Sequence, residues 1–192
     1  MRSLTYYVAV SLDGYIAGPG GEFDGFLAQG DHMGAIAQQF RGTVPTIFAD
    51  TIGVPSDGGP FDTVLMGWNT YAIGLPDHHL ASPYAHLRQI VFTSRTQRPE
   101  GSQAVRFTDQ DPVQVVRELK GEPGAGIWLC GGGALAAALA DEIDSLVLKV
   151  NPVTFGSGIR LFGDRDYRLQ PFRSTSVQAF ESGVVMARYE RG

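Results

Sequence analysis

The sequence predicts an α/β fold: a mostly parallel central sheet flanked by helices, ending in an antiparallel hairpin. Three observations predict it. Short apolar runs of strand length alternate with helix-like segments through the first three quarters of the chain. Glycine-rich turns join strands directly to helices, most clearly at Gly131-Gly132-Gly133. Two extended stretches, Thr175–Phe180 and Val184–Tyr189, flank Glu181-Ser182-Gly183 near the end, which is a hairpin signal.

The elements follow in order. Leu4–Val10 alternates β-branched and aromatic residues and reads as a first strand running into a turn at Ser11-Leu12-Asp13-Gly14. Gly18-Pro19-Gly20-Gly21 is a loop by its turn chemistry. Met33–Phe40 reads as a short helix, with Asp31 placed as its N-cap. Residues 41–61, with four Gly and three Pro, read as a long surface loop. Thr63–Met66 is a strand, and a helix opens near Asn69 or Thr70. Gln89–Thr93 and Ala104–Phe107 are further strands. Asp111 and Pro112 open the helix Pro112–Lys120, Asp as cap and Pro in the first turn, with Val113, Val116 and Leu119 as its inner stripe. Gly126–Cys130 is a buried strand, Gly133–Ala140 a helix and Ser145–Val150 a strand.

Composition narrows the function. A length of 192 residues corresponds to one domain spanning residues 1–192. Glycine, 25 residues, is at about twice its usual frequency of about 7%. Such excess suits tight turns and close approach of backbone to a ligand. The net charge of −5, without a basic patch, argues against nucleic acid as a partner. The apolar run Ala134–Ala140 is far short of the roughly 20 residues a membrane span needs, so no membrane partner is expected. The N-terminal stretch is too short and too β-prone for a signal peptide. One cysteine, Cys130, excludes a disulfide framework and a Cys-rich zinc site, and suits a reducing, cytoplasmic setting. His78-His79 cannot share a helix face, and no metal site is expected. There is no Walker lysine and no G-x-S-x-G elbow.

The richest segment is Ile127 to Ala136: strand, three glycines, helix. Bare backbone amides there suit an anion, while a tight strand-to-helix turn is the plain structural reading. Val64–Tyr71 repeats the pattern with Gly67, and Phe92–Thr96 places hydroxyls and a guanidinium at a strand end. Open α/β sheets bind ligands at the carboxyl ends of their strands, and three such ends here carry anion-binding chemistry.

These segments resemble the dihydrofolate-reductase-like superfamily, and within it the reductase domain of riboflavin biosynthesis and its stand-alone relatives. Val8–Ala17 resembles the family's first strand and the start of its active-site loop. Val64–Tyr71 is similar to its G-R-x-T-[YW] segment, Phe92–Thr96 to its S-R-T turn, and Gly131–Gly133 to its pyrophosphate loop. Asn151–Gly158 with Leu161-Phe162 resembles its P-V-x-x-G-x-G-x-x-L-F run. The match runs from Tyr7 to about Gly163.

The resemblance implies NADPH as cofactor and a pyrimidine- or pteridine-like substrate. Ala9, Ile16 and Ala17 would lie beside the nicotinamide. Gly67, Asn69 and Thr70 would meet cofactor phosphates. Thr93, Ser94 and Arg95 would hold the 2′-phosphate, and Gly131, Gly132, Gly133, Ala134 and Leu135 the pyrophosphate. Trp68 stands where the family has Arg, which removes one phosphate partner, offers a ring for the adenine and leaves Arg95 as the cation expected there. Ser94 and Arg95 also fit a plain solvated turn. Asp13 and Asp31 are the candidate catalytic carboxylates: Asp13 also fits an Asp-Gly turn, Asp31 also fits a helix cap, and Asp24 shares that ambiguity. Cys130, Trp128 and Ala134–Ala140 read as core. The resemblance further implies a cis peptide between Gly131 and Gly132. It also implies a homodimer, assembled through the C-terminal hairpin, with Val184, Met186 and Arg188 on its outer edge. The leading function is reduction as by 5-amino-6-(5-phosphoribosylamino)uracil reductase; dihydrofolate reduction and non-catalytic nucleotide binding are the alternatives.

Overall fold

The computed structural model describes residues 1–52, 59–75 and 81–192. The expected His78-His79 pair lies outside them. Eight strands form one sheet in the order β5-β4-β3-β6-β1-β7-β10-β9. In chain order these are β1 (Leu4–Val10), β3 (Phe61–Gly67), β4 (Arg88–Phe92), β5 (Val105–Thr108), β6 (Gly126–Gly131), β7 (Ser145–Val150), β9 (Phe172–Ala179) and β10 (Val185–Arg191). The first six are parallel; β10 and β9 are antiparallel. A second, two-stranded sheet pairs β2 (Tyr15–Ala17) with β8 (Ile159–Arg160). Five helices are described: α1 (His32–Gln39), α2 (Thr46–Ile52), α3 (Trp68–Ala72), α4 (Pro112–Gly121) and α5 (Gly133–Ala138). None of the described helices is long and apolar enough to cross a membrane.

The expected α/β class, parallel core and terminal hairpin are all present. Helix α4 starts as the sequence predicts, with the Asp111 carboxylate accepting from the Val113 N–H at 2.7 Å and Pro112 in the first turn. Its buried stripe is Val115, Val116, Leu119 and Lys120, with Val113 packed at the margin. Three expectations are corrected. Residues 41–61 are not all loop, because Thr46–Ile52 forms α2. Asp31 makes no side-chain cap to α1; its own backbone is already helical and its carboxylate turns elsewhere. Val184 and Met186 are not on an outer edge. They are buried, because β10 pairs with β7 on one side and β9 on the other. The edge strand is β9, which is exposed along most of its length.

The sheet separates two cores. One face is aliphatic: Leu4, Leu65, Ile90, Ile127 and Leu129 pack beneath α4 and α5, with Val116, Leu119, Leu135 and Leu139. The other face is aromatic. Tyr7, Phe40, Phe61, Tyr71 and Trp128 pack there with Ile36 of α1. The Tyr7 and Phe40 rings stack at 4.4 Å, and the Trp128 indole N–H donates to the Tyr7 carbonyl at 3.0 Å.

Candidate functional site

The carboxyl ends of β4, β3, β6, β1 and β7 lie side by side in that order, as sheet topology requires. Gly67 ends β3 opposite Phe92 of β4, and Met66 lies opposite Gly131 of β6. The β3–β6 register slips at this point. Leu65 faces Leu129, yet Met66 faces Gly131, so Cys130 is the extra residue of a bulge. Bulges re-aim a strand end, and this one delivers the glycine loop to the rim.

The three glycines do different work. Gly131 has φ +143°, a conformation an L side chain rarely adopts. A Cβ on Gly131 or on Gly132 would meet only the Thr70 hydroxyl, at 3.6 Å, so bare backbone faces open space. The bond between them is cis. Gly133 is different. A Cβ there would come within 2.3 Å of the Arg160 carbonyl oxygen, so this glycine serves close packing against residues 160–163. No side chain caps α5, and Ala134 and Leu135 form its first turn.

At the next strand end, Trp68, Asn69 and Thr70 open α3, and one strand further Thr93, Ser94 and Arg95 follow β4. The Thr93 hydroxyl accepts from the Arg95 N–H at 3.1 Å, which shapes the turn. The Arg95 guanidinium lies 4.8 Å from the centre of the Trp68 ring. Trp68, Arg95, Thr96 and Arg98 line a cleft of about 460 Å³. Arg98 corrects the expectation that Arg95 is the only cation here. It donates to the Arg95 carbonyl and lies 4.7 Å from the Phe107 ring. The open glycine pair, the Thr70 hydroxyl and the Arg95–Trp68–Arg98 cleft fit a ligand carrying several phosphates and a flat ring.

Ala9 lies near the end of β1, with Tyr7 two residues earlier on the same face. Ile16 and Ala17 are in β2 and are held by β8. That pairing ties the loop after β1 to the segment 151–163. Asp13 strengthens the tie: its carboxylate accepts from the Ser11 hydroxyl at 2.6 Å and from the N–H groups of Gly156 at 2.7 Å and Phe155 at 3.1 Å. The Ser11 hydroxyl and these two amides hold its pKa below the usual value. They favour the charged form, the opposite of what a proton donor needs.

Asp31 lies at the same end of the sheet, clasping the β9–β10 turn. It accepts from the Glu181 N–H at 2.8 Å and the Ser182 N–H at 3.1 Å. Burial opposes the charged form, but these amides outweigh it and keep the carboxyl below its ordinary pKa. The neighbouring His32 is buried between the Ser182 hydroxyl, 3.0 Å from Nδ1, and the Leu27 carbonyl, 3.1 Å from Nε2. The structure therefore brings the cofactor candidates into one line but ties both carboxylates into loop-fastening bonds. Asp24 is exposed on the loop after β2.

Sequence reasoning missed a polar group on the aromatic face. Lys149 of β7 lies opposite Ala9 of β1 and Met186 of β10. Its ammonium is 4.6 Å from the centre of the Tyr7 ring. Burial lowers its pKa to about 8, with Cys130 pulling it back up. Burial also pushes the Cys130 thiol up to about 11, which fits the expected inert thiol. The only available signal was one lysine inside the apolar run Leu146–Val150.

Strand order and the glycine-loop rim define a dihydrofolate-reductase-like α/β protein. The chain belongs to the RibD C-terminal domain family, whose match covers residues 2–186. It is 29% identical over 202 residues to the uncharacterized protein YyaP of Bacillus subtilis (strain 168), across 98% of this chain and 94% of that one. Its fold is similar to a Shewanella sp. PV-4 protein provisionally assigned to riboflavin biosynthesis, with TM-score 0.70, 22% identity and coverage of 100% and 99%. It is also similar to the diaminohydroxyphosphoribosylaminopyrimidine deaminase/5-amino-6-(5-phosphoribosylamino)uracil reductase of Thermotoga maritima, with TM-score 0.66 and 16% identity. All of this chain but only 57% of the Thermotoga chain is covered in that match. At these identities the two structures speak for the fold; the family match makes the chain riboflavin-pathway reductase-like.

Proposed function

We propose that the chain is an NADPH-dependent reductase of a pyrimidine- or pteridine-like heterocycle, acting as 5-amino-6-(5-phosphoribosylamino)uracil reductase does. The observation that carries this reading is the line of strand ends from Arg95 through Thr70 to the open Gly131–Gly132 backbone. Bound along it, the cofactor supplies a hydride. The chain's own residues bind and orient. Gly131 and Gly132 leave room for a pyrophosphate against backbone, and Thr70 offers a hydroxyl beside it. Arg95 and Arg98 offer positive charge to a 2′-phosphate, and Trp68 offers a ring face to the adenine. Ala9, Ile16 and Ala17 border the nicotinamide, and the β2–β8 pairing keeps that border in place.

Dihydrofolate reduction fits less well, because the oxygens of Asp13 and Asp31 already accept backbone N–H groups. A non-catalytic nucleotide-binding module is separated from either enzyme by turnover. Loss of absorbance at 340 nm with the ribosylaminopyrimidine, but not with dihydrofolate, supports the proposal; no oxidation with either overturns it. Cofactor choice tests the cleft. Hydrogen bonds to charged groups contribute about 1.5–3 kcal/mol each, so one arginine–phosphate contact corresponds to a roughly 10- to 150-fold preference for NADPH over NADH. Arg95→Ala removes most of that preference and leaves NADH affinity nearly unchanged, as read by calorimetry. A variant that loses both cofactors alike points to a structural role for Arg95.

The assembly proposed is a homodimer built on the C-terminal hairpin, now with β9 rather than β10 as the contact edge. An unpaired edge invites pairing with another chain. A light-scattering mass near 20.7 kDa at micromolar concentration counts against it. The single cysteine continues to favour a reducing, cytoplasmic setting.

A further inference from the structure

Residues 151–163 meet the proposed cofactor path at two places, and both contacts are backbone on backbone. The first is at the nicotinamide border: a Cβ on Gly158 would run into the Ala17 carbonyl oxygen of β2. The second is at the glycine loop. A Cβ on Gly133 would run into the Arg160 carbonyl oxygen, and one on Gly163 would come within 2.9 Å of the Gly133 carbonyl oxygen. Glycine brings these chains together directly, so no rotamer change can absorb a shift. A displacement of the segment at Ala17 therefore reaches Gly133.

The two halves of the segment are held differently. Residues 159–163 are fixed from the core side. The Tyr6 hydroxyl donates to the Leu161 carbonyl at 2.9 Å, the Leu161 N–H donates to the Gly14 carbonyl at 3.0 Å, and Leu161 and Phe162 pack against the aliphatic cluster. Residues 153–156 are held mainly from the loop after β1. The Leu12 N–H donates to the Val153 carbonyl at 2.8 Å, and the Phe155 and Gly156 N–H groups donate to Asp13 at 3.1 and 2.7 Å, with the Phe155 ring stacked on Phe26. Gly156 has φ +74°, and successive N–H groups in such a turn make a concave anion site. The anion that fills it is the chain's own Asp13 carboxylate.

We propose that Asp13 is a positioning residue: acting through residues 155–163, its carboxylate sets the spacing between the nicotinamide border at Ala17 and the pyrophosphate loop at Gly133. The proposal rests on the reductase reading for what lies along that path, and one arm of its test needs no cofactor. The cleft of Trp68, Arg95 and Arg98 lies beyond β3 and β4, two and three strands from β1, so the adenosine end should not feel Asp13.

Calorimetry separates the whole cofactor from its adenosine half. Asp13→Ala weakens NADPH and NADH alike, by roughly fivefold or more, and leaves adenosine 2′-phosphate within about twofold. Asp13→Asn, which keeps an oxygen for the two amides, loses less than Asp13→Ala. Hydrogen exchange of the ligand-free protein gives the second readout. Asp13→Ala speeds exchange across residues 153–163 and at Ala136, whose N–H donates to the Gly132 carbonyl at 3.0 Å, while Ile90–Phe92 of β4 exchange as in wild type. An Asp13→Ala variant that binds NADPH as tightly as wild type overturns the proposal. Equal loss of adenosine 2′-phosphate, or faster exchange in β4 as well, means a general loss of structure and overturns it too. Wild-type protein that binds neither NADPH nor NADH, with exchange at Ala136 still rising when Asp13 is replaced, overturns the reductase reading instead and leaves the positioning role standing.

Discussion

The two faces of the central sheet are built from the same strands and do different things. Leu129 and Cys130 are adjacent in β6, yet one enters an aliphatic core and the other joins aromatic and titratable side chains. Beneath α4 and α5 the partners are Leu, Ile and Val, the one buried lysine is paired, and the Tyr6 hydroxyl donates to the Leu161 carbonyl at 2.9 Å. On the opposite face, among the described residues, the Tyr7 hydroxyl makes no hydrogen bond of normal geometry and the Lys149 ammonium meets a ring face rather than an acceptor. Alternation along a strand lets one stretch of sequence supply cohesion on one side and unspent hydrogen-bonding capacity on the other.

That contrast can be broken by substitution. The largest effect is expected on the aliphatic face, where Leu129→Ala should cost about 2–5 kcal/mol in urea unfolding. A loss below 1 kcal/mol would mean that this face is not the stability core. Next, Lys120→Met removes hydrogen bonds to charged and carbonyl oxygens and should cost about 1.5–3 kcal/mol. Lys149→Met, which breaks no such bond, should change stability by less than about 1 kcal/mol. Equal losses in the two lysine variants would erase the distinction between the faces. Tyr7→Phe deletes a buried hydroxyl that makes no hydrogen bond of normal geometry among the described residues, and should leave the unfolding midpoint unchanged or slightly raised.

The smallest effect concerns Asp13 and depends on pH. Its folded pKa is depressed, so its contribution is present above the unfolded value, near 3.9 for an aspartate, and is lost as pH falls through the folded value. Asp13→Asn should therefore be less stable than wild type at pH 7, with the gap closing below about pH 4. A gap of the same size at pH 3 and pH 7 would show that the charge of Asp13 is not what holds the 151–158 loop.

How much of this was legible depended on the range of the signal. Helix α4 could be placed from Asp111 and Pro112 because capping is a local interaction. The glycine loop and the terminal turn were equally local. Helix α2 was hidden, since Thr46–Ile52 carries β-branched residues between glycines and prolines and is short enough to read as loop. The true partners of Asp31 are amides 150 residues away, and only the fold brings them near. Arg98 carries no motif of its own, and only the path of the chain after β4 brings it over Phe107. Lys149 was the hardest, because its meaning lies in what surrounds it on three strands. The glycine-bearing strand ends were thus readable from motifs, and the surroundings of Lys149 were not.

The placement of β1 has a consequence for how the chain is made. Both of its neighbours come late: Leu4 pairs with Ile127 and Tyr6 with Leu146. A ribosome adding about 5–20 residues per second exposes β1 for roughly 6–24 s before the first of these neighbours exists. Through that interval Leu4, Tyr6, Val8 and Val10 form an apolar strand with two open edges, the kind of segment that finds other chains. Both chain ends are held by one residue, with the Leu4 N–H donating to the Asp144 carboxylate at 2.8 Å and the Arg191 N–H to the Asp144 carbonyl at 2.9 Å. Joining the ends and reopening the chain at the Glu122–Gly124 turn would deliver β6 and β7 first. The former N-terminal strand would then emerge from the ribosome into a slot already formed.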